Sequence, residues 1–289
     1  MRIHIISVPF DSGVKDVRMG RGPGHLLAGG LQTHLESQGH AVTVSDIELP
    51  AVETMTPEPR VMVELSRLVA AAVGQAVENA AFPVVLAGSC YTAIGTLTGL
   101  GPDPTGVFWF DSHGDCNTPG TTGSGFLDGM AVATLTGRCW NRLLQDLEGF
   151  RPTPDHHVCL VGVRDLDDAE RVLIQNSDIH ACPPTSLSTS LTRAIGSMGR
   201  SAKGAYLHFD LDVLDPSVGR ANALAAPDGL TVEQSTAAIA AIGDVFPIRA
   251  AALTAYDPVF DTAGTVQEAA FTVLDAILAG SALGRAPSP

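Results

Sequence analysis

Two short acidic stretches hold the side chains best suited to chemistry. The first, Asp111-Ser112-His113-Gly114-Asp115, closes the apolar run 106–110. Successive side chains of an extended strand point to opposite sides, so positions 111, 113 and 115 share one face. Two carboxylates and an imidazole at one point repel and desolvate each other unless a cation sits among them. The second stretch, His208-Phe209-Asp210-Leu211-Asp212, follows the apolar 205–207 and again puts Asp210 and Asp212 on one face. Four carboxylates and a histidine exceed the needs of one tetrahedral ion. They suit two ions about 3.5–4 Å apart that share bridging carboxylates and a water. Mixed carboxylate and imidazole donors favour manganese-like ions over copper or iron–sulfur chemistry. Taken singly, each stretch also fits an ordinary acidic loop edge; the repetition favours a metal site.

Strands alternating with helices must position these motifs. Strands are expected at 2–9, 41–47, 83–88, 106–110, 158–163, 205–211 and 250–256. Helices are expected at 25–37, 58–80, 91–100, 127–138, 167–175, 187–198, 231–242 and 266–283. In 58–80 the residues Val61, Leu65, Leu68, Val69, Val73, Ala76 and Val77 recur at helical spacing. Such alternation predicts an α/β fold, a mainly parallel multi-stranded sheet with helices on both faces. Ligands of such sheets bind beyond the carboxyl ends of the strands, where both acidic motifs lie. Gly20-Arg21-Gly22-Pro23-Gly24 is glycine-rich but fails the dinucleotide-loop spacing, and Pro23 suits the first turn of a helix. No linker, repeat or low-complexity segment interrupts 1–289, so one domain is expected, with a frayed tail at 284–289.

The 289 residues can bury a substantial core. A net charge of −14 argues against nucleic acid or an anionic membrane as partner. Trp109, Trp140 and the few other aromatics form no base-stacking series. No apolar run reaches the length of a membrane span, and 1–10 reads as a strand rather than a cleavable signal. Cysteines at 90, 116, 139, 159 and 182, odd in number and without paired spacing, fit a reduced, cytoplasmic setting.

In series, these residues resemble the ureohydrolases, the family of arginase, agmatinase and formiminoglutamase. Gly20-Arg21-Gly22-Pro23 looks like the family's early Gly-Pro loop, and Ala87-Gly88-Ser89-Cys90 stands where Gly-Gly-Asp-His is usual. Asp111-Ser-His-Gly-Asp115 and Phe209-Asp210-Leu-Asp212-x-x-Asp215-Pro216 resemble its two signature metal motifs. The resemblance implies an arginase-like three-layer sandwich and a dinuclear manganese hydrolase of guanidino compounds. In that chemistry a metal-bridging water is activated and attacks the guanidinium carbon, releasing urea or an analogue and an amine such as ornithine. Asp111 and Asp210 would bridge the ions, with His113 and Asp212 on one and Asp115 on the other. Asp115 would also pass a proton to the leaving amine. A homo-oligomer, trimer or hexamer, is implied as well.

Three positions depart from the pattern. Cys90 replaces a histidine ligand: either its thiolate coordinates and tilts preference toward zinc-like ions, or it is a small uncoordinated residue. Asp128 occupies the position of the arginase proton-shuttle histidine; it either moves protons itself or caps the helix expected after it. Ala255 stands where arginases hold the guanidinium with a glutamate, and Asp257, two residues on, is the nearest acid that might replace it.

Asn117 and Ser124 match in spacing the arginase positions that hold a substrate α-carboxylate, and Asp167 and Glu170 match those that meet its α-amino group. Each has a plainer reading, Ser124 as part of a Gly-Ser-Gly loop and Asp167 as a helix N-cap. An amino-acid end together with Cys90 and Ala255 is similar to the branch hydrolysing Nω-hydroxy-arginine, whose less basic guanidine needs an acidic partner less. A hydrolase of another guanidino or formimino compound is the near alternative. A catalytically impaired binding or regulatory protein is the alternative from another class, with Cys90, Asp128 and Ala255 as marks of lost catalysis. A deacetylase-type zinc site at His156-His157 is disfavoured, because that pair opens a strand at its amino end. A cysteine hydrolase at Cys90 has no histidine placed beside it by motif.

Overall fold

The computed structural model describes residues 1–50 and 56–281. The tail expected at 284–289, and the last two residues of the helix expected to end at 283, lie outside them. Among the described residues the strands are β1 (Arg2–Val8), β2 (Phe10–Asp11), β3 (Val14–Lys15), β4 (Ala41–Asp46), β5 (Phe82–Ala87), β6 (Thr105–Phe110), β7 (Val158–Val161), β8 (His180–Cys182), β9 (Gly204–Asp210) and β10 (Ile248–Thr254). Between them run α1 (Gly22–Ala28), α2 (Leu31–Ser37), α3 (Glu58–Glu78), α4 (Thr92–Gly99), α5 (Ala131–Leu135), α6 (Asn141–Leu144), α7 (Asp168–Gln175), α8 (Leu187–Met198), α9 (Val232–Val245) and α10 (Thr265–Ala279). Eight strands form one sheet in the order β4-β1-β5-β10-β9-β6-β7-β8. Every neighbouring pair is parallel. The expected α/β architecture is the observed one.

The central strands are buried on both faces: β5 (Phe-Pro-Val-Val-Leu-Ala), β6 (Thr-Gly-Val-Phe-Trp-Phe) and β9 (Gly-Ala-Tyr-Leu-His-Phe-Asp) have no exposed position. That is how strands covered by helices on two sides should read. Their side chains divide between two cores. Val84, Phe108 and Leu207 face α1, α2, α8, α9 and α10, while Val85, Trp109 and Tyr206 face α3, α4 and α5. The result is three layers, helix on sheet on helix. Among the described residues no helix is long and apolar enough to cross a membrane.

Local chemistry accounts for the differences from expectation. The helix expected over 25–37 is broken into α1 and α2, because Gly30 adopts φ of 96°, a left-handed conformation that glycine tolerates best. The expected helix 127–138 shortens to a 3₁₀ turn at Asp128–Met130 followed by α5. Edge strand β8 and the hairpin β2–β3 span three and two residues per strand, too few to show an alternating pattern.

Candidate metal centre

The four strands whose carboxyl ends meet at the site, β5, β10, β9 and β6, are consecutive in the sheet. Cys90 follows β5, Ala255 follows β10, Asp210 ends β9 and Asp111 follows β6. Strand β6 stops at Phe110, so Asp111, His113 and Asp115 converge through a tight turn rather than through strand alternation. Asp111 Oδ1 accepts the His113 backbone N–H at 2.7 Å, and Asp115 completes the turn with φ of 51°. The second motif uses the same device: Asp210 Oδ1 accepts the Asp212 N–H at 2.8 Å. In each motif one oxygen of the first aspartate shapes the backbone, and the other accepts from a side chain, Trp109 for Asp111 and Cys90 for Asp210.

Two donor clusters result, Cys90–Asp111–Asp210 and Asp111–His113–Asp212, each with its donor atoms within 4.8 Å of one another. Asp111 belongs to both, as a carboxylate shared by two ions must. Asp115 lies outside both clusters. It is buried, and its Oδ2 has no hydrogen-bond partner, an expensive arrangement unless a ligand or proton meets it.

The electrostatics call for cations. Burial, then neighbouring carboxylates, raises the pKa values of Asp111, Asp115 and Asp210 above the ordinary carboxylate range. Burial alone would lower the pKa of His113, but Asp111, Asp212 and Asp165 more than offset it and push it up to about 10. The same field would attract a divalent ion. Donor types, convergence and the unpartnered Asp115 oxygen therefore fit a two-metal centre.

Surrounding groups fix the donors. Trp109 Nε1–H donates to Asp111 Oδ2 at 3.1 Å, and its ring stacks on His208 at 3.5 Å. Ser112 Oγ–H donates to Asp212 Oδ1 at 2.8 Å. Asn222 Nδ2–H donates to Asp212 Oδ2 at 3.1 Å and to Ala255 O at 2.9 Å. No sequence signal pointed to Asn222, which sits in an irregular loop. Cys90 Sγ–H donates to Asp210 Oδ2 at 3.2 Å, and burial, then neighbouring carboxylates, pushes its pKa up, so without a cation beside it the thiol is favoured over the thiolate. A protonated thiol does not suit the cysteine-hydrolase reading. The pair His156-His157 precedes β7 in a 3₁₀ turn, with His157 bonded to Ser201 at 2.7 Å, and neither lines the cleft.

The centre floors a cleft of about 440 Å³ whose lining includes Asn117, Ser124, Asp128, Asp167 and Glu170. Glu170 is largely committed to the protein: Oε1 accepts the Cys116 N–H at 2.9 Å and Oε2 the Asp167 N–H at 3.0 Å. Asp167 Oδ2 accepts from Asn117 Nδ2 at 2.8 Å, so these two expected substrate contacts already touch each other. Ser124 is exposed at the mouth, its Oγ accepting from the Phe126 N–H at 3.2 Å. Asp128 is buried and does not cap its own helix. Its Oδ1 accepts from the Tyr91 N–H at 3.4 Å, and its Oδ2 has no partner. Asp257 does not reach the cleft; its Oδ1 accepts from the Val259 N–H. Asp165, from the acidic stretch 164–167 that the sequence associates with the α-amino end, also lines the cleft, as do Met19, Phe126 and Leu224, which no motif announced.

The glycines of the early loop serve packing rather than phosphate binding. A Cβ on Gly88 would collide with Phe10 O and stand 2.7 Å from the Gly20 backbone, so the turn carrying Cys90 requires glycine at 88.

Comparison with known proteins accords with this geometry. The arginase from Bacillus caldovelox is 30% identical over 275 residues, covering 90% of this chain and 92% of its own. The Bacillus subtilis arginase is 27% identical over 291 residues, covering 96% and 97%. The crystal structure of the B. subtilis arginase superposes with a TM-score of 0.86 at 26% identity over the whole of both chains. The model of the arginase family matches residues 1–279, and the chain is a member of that family, the ureohydrolases.

Proposed function

We propose that this chain is a manganese amidinohydrolase acting on a guanidino substrate with an α-amino-acid end, arginine or Nω-hydroxy-arginine, to give urea or hydroxyurea and an amine such as ornithine. The observation that carries the reading is Asp111, a member of both donor clusters at the floor of the cleft. Asp111, His113, Asp210, Asp212, Asp115 and, in thiolate form, Cys90 would hold two manganese ions, with Asp111 the carboxylate common to both donor clusters. When bound, the ions supply an activated water and a Lewis acid for the guanidino carbon.

The chain's own groups orient substrate and carry protons. Asp115 Oδ2, buried and without a partner, is placed to accept a proton and return it to the leaving amine. Asp128 Oδ2, likewise unpartnered at the cleft wall, is the second proton carrier. Asn117 and Ser124 offer neutral donors to an α-carboxylate at the mouth, and Asp167 and Glu170 offer negative charge to an α-ammonium. Ala255 bears on the finer choice of substrate. It lines the cleft with a methyl group and no carboxylate, which favours the less basic N-hydroxyguanidine over arginine. With this reading go a homo-oligomer, by family resemblance, and a cytoplasmic setting, the latter supported by five free, buried cysteines.

Urea and hydroxyurea release from arginine, Nω-hydroxy-arginine, agmatine, guanidinobutyrate and formiminoglutamate by the manganese-loaded protein tests the reading. Turnover of Nω-hydroxy-arginine well above arginine is expected. Comparable turnover of the two would contradict the hydroxyarginine assignment, and preference for agmatine would contradict the amino-acid end.

A further inference from the structure

Arg164 follows Gly162 and Val163 beyond the end of β7 and, among the described residues, makes no ion pair. Its guanidinium donates to six main-chain carbonyls instead. Nε–H reaches Pro227 O at 2.8 Å; Nη1 reaches Gly162 O and Val213 O, each at 3.1 Å. Nη2 reaches Asp212 O at 3.0 Å, Ala226 O at 2.8 Å and Leu214 O at 3.5 Å. These acceptors lie on three separate segments: the end of β7, the turn that presents Asp212, and the loop 226–227. The backbone of the same stretch holds the other metal motif, since the N–H groups of Arg164 and Asp165 both donate to Ser112 O at 2.9 Å. Ser112 in turn binds Asp212 Oδ1 through its hydroxyl. A planar fork with five N–H groups serves five of these carbonyls directly, with the long 3.5 Å contact to Leu214 O sharing an Nη2 hydrogen; the single compact ammonium of lysine cannot do this.

We infer that Arg164 is a positioning residue of the metal centre, tying the Asp212 turn to the Asp111–Asp115 turn and setting the affinity for the ion that Asp212 would hold. It touches neither substrate nor donor oxygen and acts through the backbone of Asp212. The inference rests on the proposed two-metal reading. Outer groups that orient a ligand are worth about 10–100-fold in metal affinity.

Manganese affinity, measured calorimetrically on the full chain, separates this role from plain stabilisation. Arg164→Lys and Arg164→Gln are expected to lose about 10–100-fold in affinity for one of two ions. Arg138→Gln, which removes the pair with Asp155 at 2.6 and 2.8 Å, is expected to lower thermal stability while leaving manganese affinity at the wild-type value. Should the Arg164 variants fail to fold, Gly229→Ala crowds the guanidinium together with the Asp215 backbone that follows the Asp212 turn. Its Cβ would stand 2.7 Å from Arg164 Nη2 and 2.5 Å from Asp215 N, and the same affinity loss is expected. Wild-type affinity in a folded Arg164 or Gly229 variant overturns the inference alone. A wild-type protein that takes up no manganese overturns the metal reading and the inference with it.

Discussion

Ser112 Oγ–H donates to Asp212 Oδ1 at 2.8 Å across one hundred residues of chain, joining the two acidic motifs directly. Each motif is also shaped internally by its own first aspartate, through Asp111 to His113 N–H and Asp210 to Asp212 N–H. The donors are therefore held before any ion arrives, and perturbations of the site should divide cleanly into loss of donors, loss of positioning and loss of substrate contacts.

Asp111→Asn removes the one carboxylate common to both clusters. Metal content should fall by at least one ion per chain, and kcat/KM by roughly a thousandfold, about 4 kcal/mol of transition-state stabilisation. Metal analysis and a urea-release assay on the same preparation check both.

Gly88→Ala places a methyl against Phe10 O and the Gly20 backbone under the Cys90 turn. Overpacking should cost about 1–3 kcal/mol of stability, read as a lower urea midpoint at unchanged m-value. An unchanged midpoint would mean that the two loops separate without cost.

Glu170→Gln keeps the side-chain shape but turns one of the two accepting oxygens into an NH2 donor, so either the Cys116 or the Asp167 N–H loses its acceptor. Substrate binding should weaken by about 1.5 kcal/mol, roughly tenfold in KM, while metal content stays at the wild-type level. Steady-state kinetics beside metal analysis decides; loss of metal instead would place Glu170 in the metal machinery.

His157, buried against Ser201, has a pKa lowered from 6.5, first by burial and then by His156. A histidine kept neutral by folding stabilises fully above its unfolded pKa, and that contribution is lost as pH falls through that value toward the folded one. His157→Asn should therefore show a shallower fall in Tm than wild type between about pH 7.5 and about pH 5.5. Equal slopes would contradict it.

Much of this was legible in the sequence because charge that must be neutralised cannot be hidden. Asp111, His113, Asp210 and Asp212 sit at the ends of apolar runs, and no soluble core tolerates that many unpaired carboxylates at one point. The alternation of strands and helices was legible for the same reason, through burial on both faces of β5, β6 and β9. What escaped depends on contacts between distant segments. Asn222 and Arg164 bear on the centre through bonds to Asp212 that no local pattern encodes. Strand alternation brought Asp111 and His113 together for an incomplete reason, since the strand ends first and a side-chain-capped turn takes over, and Asp115 falls outside both donor clusters. Asp128 shows the converse: an acid preceding an expected helix suggests a cap, yet its carboxylate turns to Tyr91 N–H and the cleft.

The most direct measurement is manganese stoichiometry by equilibrium dialysis of the wild-type chain beside Asp111→Asn. Two ions per wild-type chain, and at most one in the variant, is the predicted result. Two ions retained by Asp111→Asn, or none bound by wild type, would contradict a centre built on a shared Asp111 carboxylate.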